Sequence, residues 1–146
     1  MHSYFDYPTT DGDDDEQLVF LNGRSREDWG RIARHAERVR FRGGEDVVRA
    51  GDDDRALYLV LSGRLQALVG GATSIDAGSV FGELAFLDGL PRSATVRALE
   101  DGEALRLSFD AFETLAARHP ELGRAILLDL GRIAALRLRR LTEPTA

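Results

Sequence analysis

The chain has 146 residues, of which 43% are hydrophobic and 30% are charged, and its formal net charge at pH 7 is -6. This length fits one compact domain, and no apolar run approaches the roughly 18 residues that a membrane span requires. An acidic chain is poorly attracted to a phosphate backbone, so neither nucleic acid nor a membrane is an expected direct partner.

The N-terminal residues, MHSYFDYPTTDGDDDEQ, have neither the basic start nor the apolar segment of a secretory signal, so we expect a cytoplasmic protein. Residues 1–16 include the acidic run from Asp11 to Glu16 and carry too little apolar surface to fold, which predicts a flexible tail. The absence of cysteine excludes disulfides and thiolate metal sites. All 19 basic residues are arginine, a bias typical of GC-rich bacterial genomes.

The first predicted element is a helix. Ser25 followed by Asp28 predicts an N-cap with an acid in the first turn, and the apolar residues that follow have helical spacing. From Val39 to Leu107 the pattern changes to short apolar runs between glycine-rich turns, which is typical of an antiparallel roll or barrel. One of these turns, from Asp52 to Asp54, is predicted to be solvated. The predicted strands are VRFR, DVVRA, ALYLVLSG, RLQALVG, RSATVRAL and EALRLS.

Helical spacing returns after Leu107. Asp110 is the predicted cap of AFETLAARH, and Pro120 is predicted to open a last helix at about residues 120–141. That helix carries two neighbouring apolar lines, which together are wider than one contact with a small roll requires. We therefore predict a homodimer formed through this helix. Residues 142–146 are predicted to be a C-terminal tail.

The stretch FGELAFLDGLPRSATVRA, which begins at Phe81, is the most informative part of the sequence. Gly82 permits close approach of the backbone to a ligand, and a short helix from Glu83 directs free N–H groups toward its own start. Arg92 supplies a planar fork that matches a phosphate, with the Ser93 hydroxyl as a further donor. The Glu83 carboxylate is an acceptor and suits a sugar hydroxyl. A ligand that joins phosphate to ribose would satisfy these groups together.

This stretch resembles the phosphate-binding cassette of the cyclic-nucleotide-binding domains found in catabolite-activator-type regulators, kinase regulatory subunits and nucleotide-gated channels. The matching motifs are Phe-Gly-Glu-Leu-Ala and Pro-Arg-Ser-Ala-Thr-Val at kinase-type spacing, and AGDDDRALYLVLSGRL resembles the family's glycine-bounded strand pair. Residues 17–141 are therefore assigned to such a domain. The predicted fold class is mainly β with flanking helices: an antiparallel, jelly-roll-like β-roll with an N-terminal helix, a short cassette helix and two C-terminal helices.

The resemblance implies a role for each residue of the motif. Glu83 would accept a hydrogen bond from the ribose 2′-hydroxyl, and Arg92 would pair with the cyclic phosphate. The Ser93 hydroxyl would donate to the phosphate or, if the base is a guanine in the syn conformation, accept a hydrogen bond from its amino group. In the family the last helix supplies a cap for the base, and Arg137 or Leu138 lies nearest the expected level. The predicted ligand-binding residues are Phe81, Gly82, Glu83, Leu84, Ala85, Pro91, Arg92, Ser93 and Ala94.

The predicted function is a stand-alone sensor of cAMP or cGMP. Ligand binding would reposition the last helix and thereby signal to an effector protein that the sequence does not identify. The choice of base stays open, because a small hydroxyl such as that of Ser93 occurs in readers of both nucleotides. No helix-turn-helix of the catabolite-activator type follows Leu141, so we expect a chain that acts on another protein or a fragment of a longer one.

Three other interpretations of the same sequence are possible. Taken alone, Glu83 and Arg92 fit a simple salt bridge on a barrel. A metal-dependent enzyme built on a β-roll needs several converging histidines, whereas His2, His35 and His119 are scattered, so we predict no catalytic residue, no metal and no cofactor. The alternative to a sensor is a ligand-free dimerisation or docking module of the same fold.

Overall fold

The computed structural model of the chain describes residues 19–69 and 71–142. Within these ranges it contains two four-stranded antiparallel sheets and four helices. The strands are β1 Glu37–Phe41, β2 Asp46–Val48, β3 Ala56–Ser62, β4 Leu65–Val69, β5 Gly71–Ile75, β6 Val80–Phe81, β7 Thr95–Ala98 and β8 Gly102–Ser108. The helices are α1 Arg26–His35, α2 Glu83–Asp88, α3 Phe109–Arg118 and α4 Pro120–Thr142.

The strand order is β1-β8-β3-β6 in the first sheet and β2-β7-β4-β5 in the second, and every pairing is antiparallel. The predicted fold class is therefore confirmed. No helix in the described ranges combines the length and apolar character needed to cross a membrane. The predicted tail at residues 1–16 lies outside the described residues, as do residues 143–146, whereas Thr142 is the last residue of α4.

Strand β3 divides the two hydrophobic clusters found among the described residues. Ala56, Tyr58 and Val60 are buried in the cluster between the two sheets. Leu57 and Leu59, whose side chains point to the opposite face, are buried in the cluster that includes α1, α3 and α4. Because both faces of β3 are covered, its sequence is an almost unbroken apolar run rather than an alternating one.

Two hydroxyl side chains begin helices. Ser25 caps α1 by accepting a hydrogen bond from Asp28 N at 3.2 Å, as predicted. The cap of α3 was expected at Asp110 but is Ser108, whose hydroxyl accepts from Ala111 N at 3.1 Å. Asp110 lies instead in the first turn, where a negative charge still favours the helix dipole.

The pattern of apolar runs did not predict β5 or β6. The sequence of β5, GATSI, is small and polar because this strand forms the outer edge of its sheet, and β6 is only two residues long. The strand predicted from Arg92 begins at Thr95, since the backbone of Arg92 is held outside the sheet. Arg92 N donates to Asp52 O at 2.9 Å, and Gly51 N donates to Arg92 O at 2.8 Å.

The last helix packs closely on the one before it. A Cβ placed on Gly123 would lie 2.6 Å from the Cβ of Ala116, so only glycine allows α4 to approach α3 at this point. Leu122, Ile126 and Leu130 are buried, along with Ile133, and fix the inner face of α4 against the roll. Movement of α3 is therefore expected to carry α4 with it.

Candidate ligand-binding site

The predicted site lies where β6 passes into α2. Phe81 ends β6 and stacks on Tyr58 with ring centroids 4.7 Å apart. Gly82 follows with a φ of 82°, in the left-handed region, and is the N-cap of α2 without a side chain to cap it. A Cβ on Gly82 would overlap Nη1 of Arg92 and lie 2.9 Å from Ala56 O. Glycine is thus required both by the backbone angle and by the close approach of Arg92.

The Arg92 guanidinium is buried beneath this glycine, with the residue only 4% exposed. Nη1 donates to Gly82 O at 3.1 Å, and Nη2 donates to Ala56 O at 2.7 Å and to a carboxylate oxygen of Asp54 at 3.0 Å. Nε is also buried and has no hydrogen-bond partner among the described residues. Since a buried polar group without a partner is costly, this atom marks a position where a ligand acceptor would be favourable.

Asp54 was predicted to be part of a solvated turn, and that prediction is wrong. Its carboxylate accepts hydrogen bonds from Arg92 at 3.0 Å, from Arg106 at 2.6 Å and from the Tyr58 hydroxyl at 2.9 Å. Burial by itself raises the pKa of Asp54, but the hydrogen bonds from Arg106, Arg92 and Tyr58 outweigh it and hold the pKa below its ordinary value. Asp54 therefore stays ionised and fixes the position of the Arg92 fork.

These contacts predict a specific loss of stability in acid. Because the pKa of Asp54 is lowered by folding, its contribution is fully present above its unfolded pKa and is lost as the pH falls through the folded value. We expect Asp54→Asn to be less stable than the unmodified chain by a constant amount above about pH 5, with the difference shrinking below about pH 4. Urea denaturation across this range measures it, with Asp53→Asn as the matched control. A difference that is independent of pH would contradict the assignment.

Glu83 faces α4. Although it opens a helix, it is only 8% exposed, and its Oε1 lies 2.8 Å from Nη1 of Arg137. Arg137 also donates from Nη2 to Val80 O at 2.7 Å, so one arginine of α4 contacts both β6 and α2. Glu83 and Arg92 thus pair with different residues, and the interpretation of the two as a simple mutual salt bridge is wrong. Leu138, the other candidate base cap, is 62% exposed.

The remaining predicted residues surround this centre. Ala85 is buried, Leu84 is exposed on α2, Ala94 is half-buried, and Pro91 and Ser93 are exposed. Their roles toward a ligand stay predictions. The site therefore contains the buried guanidinium of Arg92, whose Nε lacks a hydrogen-bond partner among the described residues, and the buried carboxylate of Glu83. Gly82 connects them, because its carbonyl accepts from Arg92 and it directly precedes Glu83 in the chain. These two groups suit a ligand in which a small anion is attached to a polar group.

Known proteins are similar to this chain in sequence and fold. Residues 38–119 match the model of the cyclic nucleotide-binding domain family. The cAMP-dependent protein kinase regulatory subunit of Emericella nidulans is 34% identical over 104 residues, which are 68% of this chain and 25% of that protein. The chain thus spans 25% of the length of this relative.

The solved structures that are similar to the chain include a catabolite activator protein and a kinase regulatory domain. The catabolite activator protein of Thermus thermophilus is 30% identical with a TM-score of 0.71, over 83% of this chain and 58% of that one. The regulatory domain of Toxoplasma gondii protein kinase A, crystallised with cAMP, is 27% identical with a TM-score of 0.56, over 75% of this chain and 46% of that one. The chain belongs to the cyclic nucleotide-binding domain family.

Proposed function

We propose that this chain is a sensor that binds cAMP or cGMP between Gly82 and Ala94 without chemical turnover. The observation that carries the proposal is the Arg92 guanidinium, which is buried at the start of α2 and has an Nε without a partner among the described residues. Guanidinium groups bind phosphate oxygens through two parallel hydrogen bonds. A cyclic phosphate placed here would satisfy Nε and add an anion beside a buried cation.

The local charges favour an anion with a single negative charge. Arg92 and Arg106 share the Asp54 carboxylate, so two cations contact one partly buried anion. The other acidic partner of Arg106, Glu37, lies farther away at 3.6 Å, and its side chain is 64% exposed. Solvent screens that pair, whereas Arg92 is enclosed. A cyclic phosphodiester, which carries one negative charge, would balance the remaining positive charge.

The ion pair between Glu83 and Arg137 supports coupling of the ligand to α4. If Glu83 accepts a hydrogen bond from the ribose, the ribose and Arg137 meet at the same carboxylate. A ligand that competes with Arg137 for the Glu83 carboxylate binds better when α4 has moved away. A tenfold preference for the moved form shifts the equilibrium between the two positions of α4 by about 1.4 kcal/mol. We infer that nucleotide binding loosens this ion pair and repositions α4, which then signals to a partner chain.

Isothermal titration calorimetry with cAMP, cGMP and 5′-AMP tests the proposal. We expect saturable heat from at least one cyclic nucleotide and much weaker binding of 5′-AMP, whose open phosphate carries more charge and a different shape. Chromatography of the recovered cyclic nucleotide should show it unchanged. Absence of binding by both cyclic nucleotides would leave the ligand-free docking module as the better account.

A homodimer through α4 is a second proposal, and exposed apolar residues carry it. Leu127, Leu138 and Leu141 are 41%, 62% and 84% exposed, and together with Gly131 and Ala134 they follow alternating steps of four and three residues. This is the spacing of a coiled-coil seam. A Cβ on Gly131 would meet no atom of the described residues within 4 Å, so a second helix has room to approach there.

Leu138→Arg is expected to weaken self-association by about tenfold or more, because it places a charge in the centre of this seam. The side chain is exposed in the single chain, so the free energy of unfolding of the monomer should hardly change. Sedimentation equilibrium measures the dimer dissociation constant. The matched control is Leu99→Arg, another exposed leucine that lies away from α4. Equal effects of the two variants, or a monomeric unmodified chain, would contradict this interface.

A further inference from the structure

The side chain of Arg55 lies at the C-terminal end of α2. Its Nε donates to Phe86 O at 3.0 Å and its Nη2 to Leu87 O at 3.4 Å. Both carbonyls belong to the last turn of α2, where carbonyl groups lack partners within the helix and the helix dipole is negative. The Arg55 guanidinium therefore satisfies the end of α2 that is opposite to the Glu83 end.

The same residue also holds the start of α3. The guanidinium carbon lies 3.5 Å from the centre of the Phe109 ring, the distance of a close cation–π contact. The backbone of Arg55 contributes too, since Phe109 N donates to Arg55 O at 3.0 Å. In addition, the Phe109 ring packs on Phe86 with centroids 5.4 Å apart. Arg55 thus contacts the last turn of α2 and the first residue of α3 at once.

These contacts complete a second connection between α2 and α4. The first is direct, from Glu83 at the start of α2 to Arg137. The second runs from the end of α2 through Arg55 to α3, and from α3 to α4 through the close contact of Ala116 with Gly123. A displacement of α2 would therefore be transmitted to α4 from both ends of α2.

We propose that Arg55 is a positioning residue that couples the cassette helix α2 to α3, so that nucleotide binding is transmitted to α4 through α3 as well as through Arg137. The proposal rests on the function proposed above. An arginine that merely capped α2 would stabilise α2 alone. The position of the guanidinium between the α2 carbonyls and the Phe109 ring predicts instead that the two helices loosen together.

The first test uses the unliganded full chain and amide hydrogen exchange. In Arg55→Met the hydrogen bonds and the cation–π contact are removed, and exchange should accelerate by about tenfold in both the last turn of α2 and the first turn of α3. Arg55→Lys, which keeps the charge but lacks the fork, should have a smaller effect in the same two places. The matched control, Arg64→Met, removes an exposed arginine paired at 3.8 Å with Glu100 and should change neither helix.

Acceleration confined to α2 would make Arg55 an ordinary helix cap and overturn the proposal. Arg55 is exposed, so these variants should remain folded, and a thermal melt verifies this. Should Arg55→Met fail to fold, Arg55→Lys still tests the prediction, because it must affect both helices or the proposal is wrong.

The second test adds cAMP, or cGMP if only that nucleotide binds the unmodified chain. Binding should slow exchange in α2, α3 and α4 of the unmodified chain. In Arg55→Met calorimetry should still detect binding, and the slowing in α2 should persist. The slowing in α3 should be clearly smaller than in the unmodified chain, although the ring contacts of Phe86 with Phe109 and Phe112 still join the two helices. Slowing of α3 to the same extent in both proteins would overturn the coupling. If calorimetry detects no binding by the unmodified chain, the proposed function fails, and exchange in the unliganded protein still decides the role of Arg55.

Discussion

Arg92→Ala is expected to weaken binding of the cyclic nucleotide by about a hundredfold or more, because it removes several charge-assisted hydrogen bonds to the phosphate. It should also lower the free energy of unfolding by about 2–4 kcal/mol. The reason for the second effect lies in the unliganded site, where Arg92 donates to Gly82 O and Ala56 O. Both carbonyls would lose this donor, whereas Asp54 would keep Arg106.

A second variant separates the charge of Arg92 from its shape. Arg92→Lys keeps the positive charge but not the fork, so it should retain part of the affinity and still bind more weakly than the unmodified chain. Arg97→Ala is the matched control, since this nearby arginine of β7 is half-exposed and pairs with Asp46 at 2.7 Å on the surface. Calorimetry and urea denaturation measure the two effects. Unchanged affinity in Arg92→Ala would refute the phosphate-binding role.

The second large effect is expected from Gly82→Ala. The backbone at this position has a φ of 82°, and an added Cβ would displace the Arg92 guanidinium. Strain in the left-handed region together with the displaced side chain should lower the free energy of unfolding by about 2–4 kcal/mol. Affinity for the cyclic nucleotide should fall as well, because the variant moves the group that binds the phosphate.

Gly63→Ala provides a control with similar strain elsewhere in the roll. Gly63 has a φ of 84°, and a Cβ there would lie 2.7 Å from Asp101 O. We expect this variant to lose stability to a similar degree and to keep the nucleotide affinity of the folded protein. Denaturation curves and calorimetry on both variants, at a temperature where both are folded, give the comparison. Equal affinities for Gly82→Ala and Gly63→Ala would mean that Gly82 matters only for folding.

The elements that the sequence predicted correctly are those whose signal is local. The Ser25 cap and the apolar run of β3 follow from the chemistry of a few neighbouring residues, and both agree with the structure. The cassette was predictable because Gly82, Glu83 and Arg92 lie close together in the chain. Its central contact, Arg92 Nη1 to Gly82 O, spans ten residues.

The features that were missed depend on distant parts of the chain. Asp54 lies in a run of three aspartates, and its role is set by Arg92, 38 positions away, and by Arg106, 52 positions away. Arg55 likewise acquires its contact with Phe109 only when β3 and α3 come together. The strand β5, which lies at the edge of its sheet among the described residues, has little apolar signal in its sequence GATSI. In the sequence, Asp54 and Arg55 look like ordinary surface charges, because their partners come close only when the chain folds.

The side-chain NMR signal of Arg92 tests the central claim most directly. Its Nε–H, which is buried and lacks a partner among the described residues, can be assigned in the arginine spectrum by comparison with Arg92→Lys. On titration with the cyclic nucleotide that binds, we expect this resonance to shift strongly and its exchange with water to slow, as the phosphate becomes its acceptor. A resonance that stays unchanged at saturating nucleotide would place the phosphate elsewhere and contradict the account.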